Sequence, residues 1–273
     1  MSALPPELHL YFSLLAVFGG ACVGSFLNVC IHRIPRDESL IRPRSRCPHC
    51  DAMIAWYDNI PILSYILLRG RCRQCRGPIS PRYAFVEALT AFLFAALWLK
   101  YGWSPLTLVY MLVTGGLIVA TFVDLEHMII PDRISLGGIL AGVALSTALP
   151  ALHGEAQPLD GLLSSAIGLL TGAGALWLVA VLGKFAFKKD AMGFGDVKLL
   201  GAIGAFMGWQ GVLFTIMLSS LAGSLVGLLF ILSGRHEWQS RIPYGPYLAL
   251  AAVIWIIWGM EWWDAYIRWM SGA

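Results

Sequence analysis

Residues 161–183 read GLLSSAIGLLTGAGALWLVAVLG, without one charged side chain. At about 1.5 Å per helical residue this run is long enough to cross a hydrocarbon core of about 30 Å. Comparable runs lie on both sides of it, near 9–31, 83–100, 105–123, 134–152, 197–208, 211–232 and 246–265, which makes eight. The run at 197–208 reaches only about 18 Å and is read as a half-helix or as the first arm of a hairpin with the run after it. The first run has no basic segment before it and carries Asn28 and His32 at its end. It is expected to be a retained helix rather than a cleaved signal peptide. Composition agrees. Of 273 residues, 58% are hydrophobic and 13% charged, against about 25% charged in soluble domains. Disorder is excluded by that hydrophobicity, and a net charge of +3 is too small to imply a nucleic-acid partner. The expected fold is an all-α polytopic membrane protein with about eight transmembrane helices.

Charge orients the chain. Between Arg33 and Arg82 lie ten arginines. With eight spans, Arg133, Lys184, Lys188, Lys189, Lys198, Arg235 and Arg241 fall on the same side, leaving only Lys100 and Arg268 opposite. Basic residues are retained on the cytoplasmic face, so residues 33–82 are expected in the cytoplasm and both termini outside. The chain is thus divided into a first transmembrane helix (1–32), a cytoplasmic domain (33–82) and a helical membrane domain (83–273).

Small residues recur four apart within the spans, at Gly20/Gly24, Gly138/Gly142, Gly168/Gly172, Gly204/Gly208 and Gly223/Gly227. In lipid such pairs let helix backbones approach closely, which predicts a compact bundle. Trp255, Trp258, Trp262, Trp263 and Trp269 at the end of the last span are expected to form an interfacial aromatic belt.

Four of the six cysteines sit in the basic loop as Cys47-Pro48-His49-Cys50 and Cys72-Arg73-Gln74-Cys75. Two C-x2-C turns can each aim two sulfurs at one point and complete a tetrahedral zinc site with no open position, hence a structural one. A reducing cytosol argues against disulfides, and a loop of this size benefits from a metal staple. His49 is expected to face solvent, and Cys22 and Cys30 to be ordinary buried apolar residues. The loop arginines suit anionic lipid headgroups. A nucleic-acid role is set aside because the loop is tethered at both ends to membrane helices.

Two acids stand out. Asp124 ends the third span within Phe122-Val123-Asp124-Leu125-Glu126-His127, where a helix dipole disfavours an anion. Asp196 lies within Gly193-Phe194-Gly195-Asp196-Val197-Lys198, where a helix begins, so helix capping and catalysis are both open for it. Asp132, after Pro131, is expected to cap the fourth span. Gly193 and Gly195 permit backbone geometry that would bring Asp196 beneath a neighbouring helix. Two carboxyls brought together cannot both ionise cheaply, which places a base and an acid in one site, suited to peptide hydrolysis by an activated water. A secondary transporter or proton-coupled channel using the same acids is the alternative.

These residues jointly resemble the bifunctional type IV prepilin peptidases, polytopic aspartyl proteases of the G-x-G-D class. The resemblance runs over nearly the whole chain, through Gly24-Ser25-Phe26-Leu27-Asn28-Val29, His32-Arg33 and Pro35, the four cysteines, Asp58-Asn59-Ile60-Pro61, Leu68-Arg69-Gly70-Arg71-Cys72, Ile79-Ser80-Pro81-Arg82-Tyr83, the segment from Asp124 to Asp132, and Gly193 to Lys198. Ala84 stands where the family commonly has proline. The resemblance implies catalytic Asp124 and Asp196, a supporting loop with Gly193, Gly195 and Lys198, and cleavage of prepilins and pseudopilins after a glycine. It further implies N-methylation of the new terminus with S-adenosylmethionine as donor, in a bacterial inner membrane. No glycine-rich dinucleotide turn marks the donor site. Glu87, Asp58 and Asn59 are candidates for it, each with a structural role as the simpler reading.

Overall fold

The computed structural model describes residues 6–188, 192–233 and 243–272. Lys189, Arg235 and Arg241 of the charge argument lie outside the described residues. The chain divides into two compact units, Met1–Val119 and Ala120–Ala273.

In the first unit, helix α1 (Pro6–Arg33) leads into a loop that holds the short helix α2 (Leu63–Leu67) and returns through α3 (Pro81–Tyr101). The start of α3 is encoded locally. Pro81 occupies the first turn and the Ser80 hydroxyl accepts the Arg82 N–H at 3.3 Å, so Ala84, already inside the helix, needs no proline. Helix α1 lies against α3 at its glycines. A Cβ on Gly20 would stand 2.8 Å from the Ala91 Cα, and one on Gly24 2.7 Å from the Glu87 Cα. The loop contains two isolated antiparallel bridges and, among the described residues, no strand.

Helix α4 (Pro105–His127) begins in the first unit and ends in the second. The second unit continues with α5 (Asp132–Ala148), α6 (Pro158–Phe187), α7 (Phe194–Leu232) and α8 (Gly245–Ile254), which runs through a π-helical turn, Trp255–Gly259, into α9 (Met260–Ser271). Six helices among the described residues are long and apolar enough to cross a membrane. Two features account for the difference from the eight expected runs. Helix α5 has only 17 residues. The runs at 197–208 and 211–232 are joined in one 39-residue helix broken at Gly208, whose φ of 69° and ψ of −179° are not helical. A Cβ on Gly204 would lie 2.8 Å from Val212 Cγ2, whereas a straight helix separates such positions by about 12 Å. The bend at Gly208 is therefore sharp.

Within a membrane, polar groups at such a bend must be satisfied by neighbouring helices. The Ala205 carbonyl, one turn before the bend, accepts the hydroxyls of Ser146 on α5 (3.0 Å) and Ser165 on α6 (2.8 Å). His153 Nε2 lies 2.9 Å from the Ser146 hydroxyl. Since that hydroxyl gives its hydrogen to Ala205, the imidazole N–H is the donor. Three helices are thus tied at one carbonyl. The glycine pairs complete the packing. A Cβ on Gly168 would fall 2.1 Å from the Gly204 carbonyl oxygen, one on Gly172 2.4 Å from that of Leu200, and one on Gly142 2.7 Å from the Ala205 Cβ. Only Trp258, Trp262, Trp263 and Trp269 suit the aromatic belt. Trp255 is 6% exposed and packs on Phe214 at 5.3 Å between ring centroids, because the same helical face that carries it meets α7. Of the two cysteines in α1, Cys30 is buried as expected and Cys22 is exposed.

The packing makes a sharp prediction. Gly168→Ala forces a methyl group onto a backbone carbonyl and should destabilise the protein by about 1–3 kcal/mol, the range for overpacking. Gly174→Ala, with nothing within 4 Å of the new methyl, should be neutral or stabilising, since alanine is the better helix former. Thermal unfolding in one detergent measures both, and equal midpoints would contradict the packing.

Candidate functional site

Asp124 sits in the last turn of α4, 5% exposed. Met128 closes that helix in the left-handed conformation at φ 55°, its N–H bonding the Asp124 carbonyl at 2.9 Å. The C-terminal end of a helix is unfavourable for a carboxylate, and the structure offsets this with another helix. The Asp124 Oδ2 accepts the backbone N–H of Gly245 at 2.9 Å. Gly245 is the first residue of α8, where N–H groups are unpaired and the dipole is positive. No side chain fits there, because a Cβ on Gly245 would lie 2.8 Å from the same carboxylate oxygen.

Asp196 is the third residue of α7, 9% exposed. The cap position belongs to Gly193, and no side chain caps this helix. The Asp196 Oδ1 is buried without a hydrogen-bond partner among the described residues, a condition rare for buried polar atoms. The two acids are within electrostatic range of one another. Ile130 links their surroundings, because a Cβ on Gly195 would meet its Cβ at 3.0 Å and one on Gly245 its Cδ1 at 3.3 Å. Gly195 is therefore needed for close approach, at ordinary backbone angles. Asp132 does not cap α5. Pro131 occupies the cap position, and the Asp132 carboxylate accepts Lys198 Nζ at 2.6 Å. The sequence expectation failed because a cap was sought locally while the partner lay 66 positions away. Lys198 also stands 5.3 Å from the Phe194 ring centre, so it joins the starts of α5 and α7. Gly245 was missed by sequence reasoning. Its signal was the Gly-Pro pair at the start of the last apolar run, a helix-opening pattern.

The second cluster lies in the first unit. Two turns of matching geometry carry the cysteines. Cys47 N–H donates to Ala52 O and Asp51 N–H to Cys47 O. Cys72 N–H donates to Gly77 O and Arg76 N–H to Cys72 O, all at 2.9–3.0 Å. Asp51 and Arg76 are left-handed, at φ 54° and 59°. Bridges Arg46–Met53 and Arg71–Pro78 close the two turns in equivalent registers. The four Sγ atoms lie within 4.8 Å of one another, and Cys47 and Cys75 are 3.8 Å apart. Zinc–sulfur bonds of about 2.3 Å in a tetrahedron require sulfur separations of about 3.8 Å, so the cluster fits zinc. The Cys75 and Gln74 N–H groups lower the Cys72 thiol to about 6. Against the lowering effect of the Ala52 N–H, burial and the neighbouring thiols push Cys50 up to about 12. Four thiolates this close need a divalent cation at their centre to ionise together. His49 is exposed, 3.3 Å from the Pro78 carbonyl, and is not among the clustered ligand groups. Arg73 makes a bidentate pair with Asp58, which holds the Asp58 carboxyl below its usual range and fastens the second cysteine turn to residues 56–59.

These features define an all-helical, multi-pass membrane protein with a buried acid pair and a four-cysteine module. Two family models match it, the Bacterial Peptidase A24 N-terminal domain over residues 18–101 and the Type IV leader peptidase family over 111–228. Similar proteins include a prepilin leader peptidase/N-methyltransferase of Aeromonas hydrophila, 40% identical over 95% of this chain and 93% of the relative. Proteins of the same name from Myxococcus xanthus (40%, 85% of this chain and 67% of the relative) and Legionella pneumophila (34%, 92% and 91%) are also similar. No solved structure matches. The chain belongs to the type IV leader peptidase family. The transporter reading finds no support among these relatives.

The protein purified without chelator should carry about one zinc per chain, and Cys47→Ser or Cys72→Ser should lose most of it, since a closed four-thiolate site tolerates no missing ligand. Metal analysis by mass spectrometry decides this, and full zinc in a Cys47→Ser/Cys72→Ser double variant would refute the site.

Proposed function

We propose that this chain cleaves the leader peptides of type IV prepilins and type II secretion pseudopilins and then N-methylates the new N-terminal residue. The observation that carries the cleavage reading is the pair Asp124 and Asp196, buried together where α4 ends and α7 begins, one anchored by Gly245 and the other with an unpartnered oxygen. In this reading one aspartate takes a proton from a water as the water attacks the scissile carbonyl. The other gives its proton to the developing oxyanion. As the tetrahedral intermediate collapses, the first aspartate passes the water-derived proton to the leaving amine and the second takes its proton back from the gem-diol hydroxyl, so no covalent intermediate with the protein forms. Burial strengthens both interactions by excluding competing water. Gly195 allows the close approach to Ile130, Gly193 takes the cap position at an ordinary φ of −72°, beside the Asp196 carboxylate, and Lys198 holds the start of α7 to Asp132.

We place the protein in a bacterial inner membrane, with residues 33–82 and both acids on the cytoplasmic side and both termini outside, on the strength of the basic-residue asymmetry, taking α5 and each arm of the bent α7 as separate crossings beside the other five helices. Cys47, Cys50, Cys72 and Cys75 would hold a structural zinc, which organises the loop and takes no part in bond cleavage. S-adenosylmethionine, when bound, supplies an electrophilic methyl group for the second reaction. Membrane lipids are the surrounding partner, and nucleic acid is not one.

Asp124→Asn and Asp196→Asn should each lower leader cleavage by about 10²–10⁴-fold, because an amide keeps the hydrogen bonding and cannot carry the proton. Asp132→Asn should leave cleavage nearly intact, since its ion pair with Lys198 is largely exposed and worth about 0–1 kcal/mol. Mass spectrometry of a prepilin incubated with each purified variant reads this directly, and near-normal processing by either of the first two would end the assignment.

Gly245→Ala tests the anchor separately. The added methyl group displaces the Asp124 carboxylate while both aspartates are retained in the chain, so cleavage should fall at least about tenfold with helix content unchanged. Wild-type turnover by this variant would show that the Gly245 contact does not position Asp124.

A further inference from the structure

The first unit has a half-open cavity of about 930 Å³, within the size range of sites for small organic ligands. One wall is a face of α1 carrying Cys22, Ser25, Val29 and His32 at helical spacing. The others are the loop from Ile54 to Ile60, the cysteine turns and the start of α3.

Three observations say what the cavity would take. Asn28 lines it and is 2% exposed. Its Nδ2 donates to the carbonyls of Tyr83 at 3.0 Å and Gly24 at 3.3 Å, which settles which amide atom is oxygen. Its Oδ1 is buried with no hydrogen-bond partner among the described residues. Glu87, on the same cavity, is 9% exposed and bonded to the Ile62 N–H at 2.8 Å and the Ser25 hydroxyl. Among the described residues no basic side chain is in ion-pair contact with it, although Arg33, Arg44, Arg46, Arg73 and Arg82 also line the cavity, and a buried acid without a counter-ion is costly. Ile62 is itself held at φ 62° and ψ −51°, in a γ-turn closed by the Leu63 N–H on the Pro61 carbonyl at 2.6 Å. Positive φ is an outlier for a β-branched residue. Such strain gathers at ligand sites, and here it aims the Ile62 N–H at Glu87. The cavity therefore holds an acid with no ion-pair partner among the described residues and an unused acceptor, with the rings of Tyr57 and Tyr65 and the arginines also in its walls.

We propose that this cavity binds the methyl donor, S-adenosylmethionine, with Glu87 and the Asn28 Oδ1 holding its positively charged end. The inference rests on the methylation activity proposed above. A donor of this class joins a cationic sulfonium and ammonium to an aromatic base, the chemistry that an unpaired acid beside tyrosine rings accommodates. The acid pair at Asp124 and Asp196 belongs to the other unit, so the two reactions use separate groups.

Glu87→Gln is the test, because the amide oxygen can still accept the Ile62 N–H while the charge is gone. Equilibrium binding of tritiated S-adenosylmethionine to the full chain in detergent should weaken at least tenfold, with leader cleavage retained. Unchanged donor binding would overturn the assignment, as would weakened binding of the cleaved pilin with donor binding intact. Ultraviolet crosslinking of the same labelled donor to the wild-type protein gives an answer that needs no variant to fold. Label should appear in peptides covering 22–33, 54–65 or 82–87, and label confined to 120–272 would overturn the site. A wild-type protein that neither binds the donor nor methylates a pilin would instead remove the methylation reading itself.

Discussion

The second unit depends on two helix backbones touching. Where Gly168 of α6 meets Gly204 of α7 there is no space for a methyl group on either side. In lipid no hydrophobic drive pulls helices together, so association depends on dispersion contacts and on polar groups that find partners in a neighbour. The glycine contacts supply the first, and the Ala205 carbonyl, shared by Ser146 and Ser165, supplies the second. Together they hold the first arm of α7, and with it the position of Asp196 three residues into that helix. An acid is costly at the membrane face. It is tolerated here at the end of an arm that its neighbours hold rigidly.

The acid pair is built from opposed helix ends. Asp124 lies at the C-terminal end of α4, which alone would repel its charge, and the N-terminal end of α8 answers with the Gly245 N–H. Asp196 lies near the N-terminus of α7, where a carboxylate is favoured, and keeps one oxygen unpartnered. The two acids therefore differ in what holds them, although their residue type is the same. That asymmetry suits a site in which one carboxyl must take a proton while the other gives one.

The first unit solves a different problem. Its loop has too few residues to bury a core of its own. The four sulfurs gather at one point, Arg73 fastens one cysteine turn to Asp58, and Glu87 reaches from α3 to the loop backbone at Ile62. Cysteine cluster, ion pair and buried acid each replace hydrophobic contacts that a larger domain would have. The cavity they frame is a consequence, since a loop held by point contacts leaves open space between them.

Much of this was legible in the sequence. Apolar run length announced the membrane helices, spacing announced the cysteine cluster, glycines four apart announced the close helix contacts, and their flanking segments singled out Asp124 and Asp196. These signals are local, carried by composition and by intervals of a few residues. What only the tertiary structure decided rests on partners far apart in the chain. Gly245 meets Asp124 across 121 positions, Lys198 meets Asp132 across 66, and Ile62 meets Glu87 across 25. The bend at Gly208 and the burial of Trp255 belong to the same class. No helical period or motif spacing encodes which distant helix end will supply an N–H or leave an acid without a counter-ion. Those outcomes follow from how the helices pack, and they are where the site acquires its chemistry.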